Sequence, residues 1–197
     1  MRFPEFLKKN GTIGFVAPSF GCNREPYKTS FEHALEKFHS MGYQTTLGPN
    51  CFEGSGIGIS NTPEKCAAEL NKMYLSDEAD AIISCGGGEL MCEILDDVDF
   101  DAIKAAKPKW YMGYSDNTNF TFLLTTICDV ASIYGPCAGT FGMEPWDESI
   151  EDCFSLFTGK KLTMQSYQLW EKEGLRDEEH PLEPYNLTEK SLVRSFM

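Results

Sequence analysis

Histidine, the side chain best suited to base chemistry near neutral pH, occurs only three times in this 197-residue chain. His33 and His39 stand six apart rather than at the spacing of a zinc-binding helix, and His180 lies far from both, which excludes a zincin-type metal site. Basic residues are also scarce. Seventeen Lys plus Arg against 30 Asp plus Glu leave a net charge of −13, which repels phosphate backbones and anionic lipid, so neither nucleic acid nor membrane is expected as a partner. Long apolar runs are missing as well: Ile13 to Ala17 follows Lys8 and Lys9 but stops at Pro18, too short for a signal-peptide core or a membrane span. The eight cysteines, at 22, 51, 66, 85, 92, 128, 137 and 153, include no Cys-x-x-Cys pair. Several fall within apolar patterns, so they read as reduced core residues of a cytoplasmic protein rather than a disulfide framework. Neither Gly-x-Gly-x-x-Gly nor Gly-x-x-x-x-Gly-Lys-Ser/Thr occurs, and no cofactor is expected.

The 42% hydrophobic content is enough to bury a core. Strand-like and helix-like patterns alternate through the first 135 residues. Thr12 to Ala17, Tyr43 to Leu47, Ala79 to Ser84, Trp110 to Gly113 and Ser132 to Gly135 read as strands. Between them, Phe31, Ala34, Leu35, Phe38 and Met41 form the inner face of a helix stopped by Gly42. Thr62-Pro63-Glu64 caps a second helix with Cys66, Leu70, Met73 and Tyr74 inward, and Leu90, Met91, Ile94 and Leu95 make a short third. Phe120, Leu123, Leu124 and Ile127 line a fourth, and Trp146 to Phe157 is a fifth, with Ile150, Phe154 and Phe157 inward and Gly159 as its stop. The pattern predicts an α/β fold, a mostly parallel sheet flanked by helices that gathers its ligands at the carboxyl ends of the strands. Residues 1–159 read as one α/β domain. Residues 160–197, with alternation in Lys161 to Trp170 and a charged, solvated stretch from Glu171 to Pro184, read as a linker and the start of a second domain.

Two features fall where such a sheet gathers a site. Trp110 to Gly113 ends at Tyr114-Ser115-Asp116, a tight strand-to-helix turn that pushes a serine hydroxyl outward beside the first amides of a helix. Ser115 or Asp116 in this place also suits a helix cap. Ala79 to Ser84 runs into Gly86-Gly87-Gly88, which fits a tight turn, a phosphate cradle, or a close backbone approach to a reacting group. Acyl transfer needs a nucleophile and two backbone donors at the developing oxyanion. Ser115 would be the nucleophile, Asp116 would supply one amide, and Gly88 or its neighbour Gly87 the other. A base must then reach Ser115. His33 and His39 read as surface or packing residues on the first helix, and His180 as a solvated loop residue.

The segments Val16 to Ser19, Ile82 to Gly88, Leu95 to Phe100, Pro108 to Thr118 and Tyr134-Gly135-Pro136 resemble the LD-carboxypeptidases and the related microcin C immunity peptidases. The resemblance implies the Rossmann- or flavodoxin-like N-terminal domain of that fold, with Ser115 as nucleophile and the Asp116 and Gly88 (or Gly87) amides as oxyanion hole. It implies hydrolysis of an amide next to a terminal residue in cell-wall peptides, as in muropeptide recycling, or of an amide joining an amino acid to a nucleotide-like toxin. Gly48 to Phe52 and Glu144-Pro145-Trp146 lean toward the second subgroup, where an aromatic such as Trp146 would stack on the ligand; packing within the core is the other role open to Trp146. The family's glutamate and histidine lie in a carboxyl-terminal domain, and none of His33, His39 and His180 matches that histidine. A truncated product, a split subunit or an isolated domain is therefore expected, as a homodimer or with a complementing chain, or else as a non-catalytic module that binds peptide or nucleotide.

Overall fold

Short apolar runs bounded by glycine, proline and serine become the strands of one sheet. In the computed structural model, which describes residues 1–192, these are β1 (Thr12–Val16), β2 (Gln44–Leu47), β3 (Ala81–Ser84), β4 (Trp110–Gly113) and β5 (Ile133–Tyr134). All neighbours are parallel, in the order β2-β1-β3-β4-β5. Every residue of β3 and β4 is buried, as expected where helices cover both faces. The chain steps from β1 outward to β2, then returns to β3 on the other side. That reversal opens a crevice at the carboxyl ends, where the register Val16↔Ser84 and Gly113↔Tyr134 brings the loops after β1, β3, β4 and β5 together.

Helices α1 (Tyr27–Ser40) and α2 (Pro63–Leu75) bury the apolar faces their spacing predicts, Phe31, Ala34 and Phe38 on one and Cys66, Leu70, Met73 and Tyr74 on the other. Met41 differs from expectation: the helix ends at Ser40, and Met41, in the cap, is exposed. Thr62 occupies the α2 N-cap, but its hydroxyl accepts from no amide of the first turn. The expected third helix is a 3-10 segment (Met91–Asp97) with Met91 and Ile94 buried. A helix not anticipated, α3 (Phe100–Ala105), follows; Asp99 caps it by accepting from the Ala102 amide. In α4 (Thr118–Thr126) Phe120 and Leu124 are buried, whereas Ile127 lies beyond the last turn and is exposed. Asp147 caps α5 (Glu148–Phe157), which buries Ile150, Phe154 and Phe157 before Gly159 turns the chain with φ +73°.

One apolar cluster joins α1 and α5 to the sheet through Phe15, Phe31, Phe38, Phe141 and Phe154, and a second lies under α2, α3 and α4 around Leu70, Tyr74, Tyr111 and Phe120. All eight cysteines are free thiols, and all but Cys92 are buried. Beyond Lys160, the expected alternation reduces to a two-residue strand β6 (Leu169–Trp170), paired antiparallel with β7 (Glu189–Lys190). Part of this segment returns to the sheet domain. The Pro181 carbonyl accepts from the Ser30 hydroxyl at 2.6 Å, the Leu182 carbonyl from the Glu144 amide at 2.9 Å, and Tyr185 packs on the first cluster.

Glu69 ties the open ends of β1 and β2. Its carboxylate is 4% exposed and accepts from the Ala17 and Asn50 amides, both at 2.8 Å. Burial pushes its pKa up, and the two amide bonds pull against that rise. Glu69→Gln should cost about 1–3 kcal/mol, because one oxygen becomes a donor facing an amide N–H. The urea midpoint measures this; an unchanged midpoint at constant slope would show that the bracket contributes nothing.

Candidate functional site

Tyr114 is the last extended residue after β4, and Ser115 then takes φ +60°, a left-handed conformation that disfavours a side chain other than that of glycine. This strain turns the chain sharply enough to leave Ser115 exposed at the sheet's carboxyl edge while Asn117 points back into the core. The fully buried Asn117 amide donates to the carbonyls of Gly86 (2.8 Å) and Tyr114 (3.2 Å), and its oxygen accepts from the Tyr111 hydroxyl at 2.5 Å. One side chain thus locks the glycine loop to the serine turn. From the neighbouring strand, the Tyr134 hydroxyl accepts from the Ser115 amide at 3.1 Å.

Asp116 faces the other way. Its carboxylate accepts from the Ser19 hydroxyl (2.5 Å), the Met91 amide (2.8 Å) and the Asn119 side chain (3.0 Å), joining the loops after β1 and β3 to the start of α4. Its own amide, like those of Gly87 and Gly88, meets no acceptor among the described residues. Gly87 lies against Ser115: an added Cβ would sit 3.1 Å from the serine Cβ and 3.3 Å from its Oγ. Gly88 has φ +127°, and a Cβ there would overlap Ser19 Oγ and the Gly58 carbonyl. At Gly88 the backbone must approach closely and a side chain would prevent it, whereas at Gly87 an added methyl would only press on the exposed Ser115 side chain.

The serine opens into a cleft of about 380 Å³ lined by Phe20, Arg24, Tyr27, the three glycines, Tyr114 and Arg176 among others. Cys85 and Cys137 also line it, but burial raises the Cys85 pKa and pushes that of Cys137 up to about 12. Both stay protonated near neutral pH and do not compete as nucleophiles. No histidine lines this cleft among the described residues. His33 Nδ1 is 2.7 Å from the Gly142 carbonyl, His39 Nε2 is 2.7 Å from the Thr45 hydroxyl, and His180 pairs with Asp177 at 3.0 Å on the surface. Trp146 lies outside the cleft as well. Its indole N–H donates to the Phe141 carbonyl at 2.7 Å, and its ring packs on Phe38, Phe141 and Phe154. In their place the cleft contains Arg24, Tyr27 and Arg176, which no local pattern marks. Two outlying arginines in an acidic chain were the one available hint. No group of histidines, cysteines or carboxylates among the described residues has the geometry of a metal site, and no helix among them is long and apolar enough to cross a membrane.

The assembled site can be compared with known proteins. A family model describing the LD-carboxypeptidase N-terminal domain matches residues 13–135. The probable murein peptide carboxypeptidase of Bacillus subtilis is 29% identical over 140 residues, 70% of this chain and 41% of that relative. Microcin C7 self-immunity protein MccF of Escherichia coli is 31% identical over 169 residues, 84% of this chain and 48% of that relative. A solved structure of a mutant MccF in complex with adenosine monophosphate superposes with a TM-score of 0.81 at 25% identity, covering 98% of this chain and 58% of the other. The chain therefore spans about half the length of the relatives it matches.

Gly88→Ala should destabilise the fold by about 1–3 kcal/mol, from backbone strain at a positive φ with the Ser19 and Gly58 oxygens in the way. Gly87→Ala, at an ordinary φ, should leave the thermal midpoint within a degree or so of wild type. Equal losses in the two variants would contradict the close approach assigned to Gly88.

Proposed function

The chain belongs to the LD-carboxypeptidase N-terminal domain family, and from that premise we propose that it is the nucleophile-bearing part of a serine carboxypeptidase or amidase. The observation that carries this reading is the pairing of an exposed, left-handed Ser115 with amides at Asp116 and Gly87-Gly88 that meet no acceptor among the described residues. In the proposed reaction Ser115 Oγ attacks the scissile carbonyl. The carbonyl oxygen, gaining negative charge, is held by the Asp116 amide and by that of Gly88 or Gly87, and the proton leaves to a base. On this reading residues 1–159 are the nucleophile domain, and residues 160–197, of which 193–197 lie outside the described residues, are a linker and the start of a second.

The substrate on this reading is a cell-wall peptide whose terminal residue leaves with a free carboxylate, as in muropeptide recycling within the cytoplasm. Similarity to a self-immunity protein solved with adenosine monophosphate favours an aminoacyl-nucleotide amide as the second substrate class. None of the three histidines serves as base in either case, since each has another partner away from the cleft. The base must come from a complementing segment, chain or second copy.

A peptide boronate separates the nucleophile from the missing base, since its adduct needs the hydroxyl and the oxyanion donors but no proton shuttle to a leaving group. Wild-type chain should form a tetrahedral adduct visible by boron NMR; Gly87→Ala should weaken it about tenfold or more, and Ser115→Ala should abolish it. An adduct that survives Ser115→Ala would refute the assignment. On an LD-linked tetrapeptide, the chain by itself should turn over at least about a thousandfold more slowly than a complete serine hydrolase. Brisk Ser115-dependent release would contradict the need for an outside base.

A further inference from the structure

Of the four arginines in this acidic chain, two line the cleft that holds Ser115. Arg24 reaches it from the loop before α1, with its guanidinium 5.4 Å from the Phe20 ring centroid. Arg176 arrives from the segment beyond α5 and lies 5.8 Å from the Tyr27 ring centroid. Stacking of this kind fixes the plane of a guanidinium and leaves its N–H edge for an acceptor. Neither arginine comes within ion-pair distance of a carboxylate among the described residues, although the chain carries 30 acidic residues. Arg176 Nη1 is buried and meets no acceptor among them. Among the described residues Glu89 is the one carboxylate lining the cleft, and it makes no ion pair with either arginine.

A buried, unpaired charge is costly unless a partner arrives to compensate it. Arg176, half-buried with an orphaned Nη1, and the exposed Arg24 beside it flank Ser115, and together they point to a ligand that brings negative oxygens of its own. We propose that Arg176 and Arg24 form an anion subsite next to Ser115, which takes a carboxylate or phosphate group of the bound ligand. The identity of the ligand as a scissile amide rests on the reading of Ser115 given above; the anion preference does not. The planar donor fork suits both oxygen groups, so the shared chemistry is a multidentate oxyanion with a compact charge.

The test measures equilibrium binding of two matched pairs to the chain: adenosine monophosphate against adenosine, and L-alanyl-D-alanine against its C-terminal amide. In at least one pair the anionic member should bind about ten- to a hundredfold tighter, the effect of a charge-assisted contact. A preference in the first pair identifies phosphate as the group held, and in the second carboxylate. Arg176→Ala should remove the preference, and Arg24→Ala and Arg176→Lys should reduce it, while Ser115→Ala should leave it unchanged. If Arg176→Ala fails to fold by circular dichroism, wild type still decides, since the preference should fall as salt rises. Equal binding within both pairs, a preference that persists in the folded Arg176→Ala variant, or one indifferent to salt would overturn the subsite. A failed boronate adduct with the anion preference intact would remove Ser115 as nucleophile and leave the subsite standing; the reverse pattern would remove the subsite alone.

Discussion

The left-handed backbone at Ser115 is the constraint on which the site depends. A non-glycine residue at φ +60° costs about 1–3 kcal/mol and persists only if its surroundings hold it. Asn117 supplies the main restraint through three side-chain hydrogen bonds, to Gly86, Tyr114 and Tyr111. At about 1 kcal/mol each, these offset the strain. The same three contacts fix the glycine loop after β3 relative to the turn after β4, so the serine and the glycine amides are set by one side chain. Gly113 explains why that side chain fits: a Cβ there would overlap the Asn117 carboxamide.

Asp116 shows a division of labour within one residue. Its carboxylate is committed to Ser19, Met91 and Asn119, which holds three segments together at the sheet edge, while its amide meets no acceptor among the described residues. An aspartate at this place therefore braces the turn rather than orienting a base. The thiols nearby follow a similar logic. Cys85 and Cys137 line the cleft as small, buried apolar groups, and burial keeps them protonated, which leaves the Ser115 hydroxyl as the exposed group there that the proposed reaction uses.

Much of the sheet was legible because its signals are local. Buried strands such as Ile82-Ile83 and Met112-Gly113 announce themselves as apolar runs closed by glycine or serine, and the parallel order follows from the helices between them. Ser115 was legible for the same reason, as a serine at the end of such a run. Helix edges were less so: Met41 and Ile127 continue an apolar period past the point where the backbone leaves the helix. Helix α3 went unseen because its six residues carry too short a period, and its cap, Asp99, matters only once Asn71 holds it in place. The roles of Asn117, Tyr134 and Arg176 depend on contacts across 31, 19 and some 150 residues, and no window along the chain contains them.

Among the described residues, the contacts that brace the Ser115 turn originate between Ser19 and Cys137, within the strands and loops of the sheet. A general base contributes none of these contacts, because its task is proton transfer to and from a serine already in place. On the proposed reading, the cradle and the base are therefore separable in folding although coupled in catalysis. Arg176 bridges the two regimes: it belongs to the segment after α5, yet it lies over Tyr27 at the mouth of the cleft, where the Pro181 and Leu182 carbonyls anchor that segment to Ser30 and Glu144. On the proposed subsite, ligand charge neutralised at Arg176 would therefore tighten this anchored segment over the cleft that holds Ser115, so that binding and the ordering of the segment favour one another.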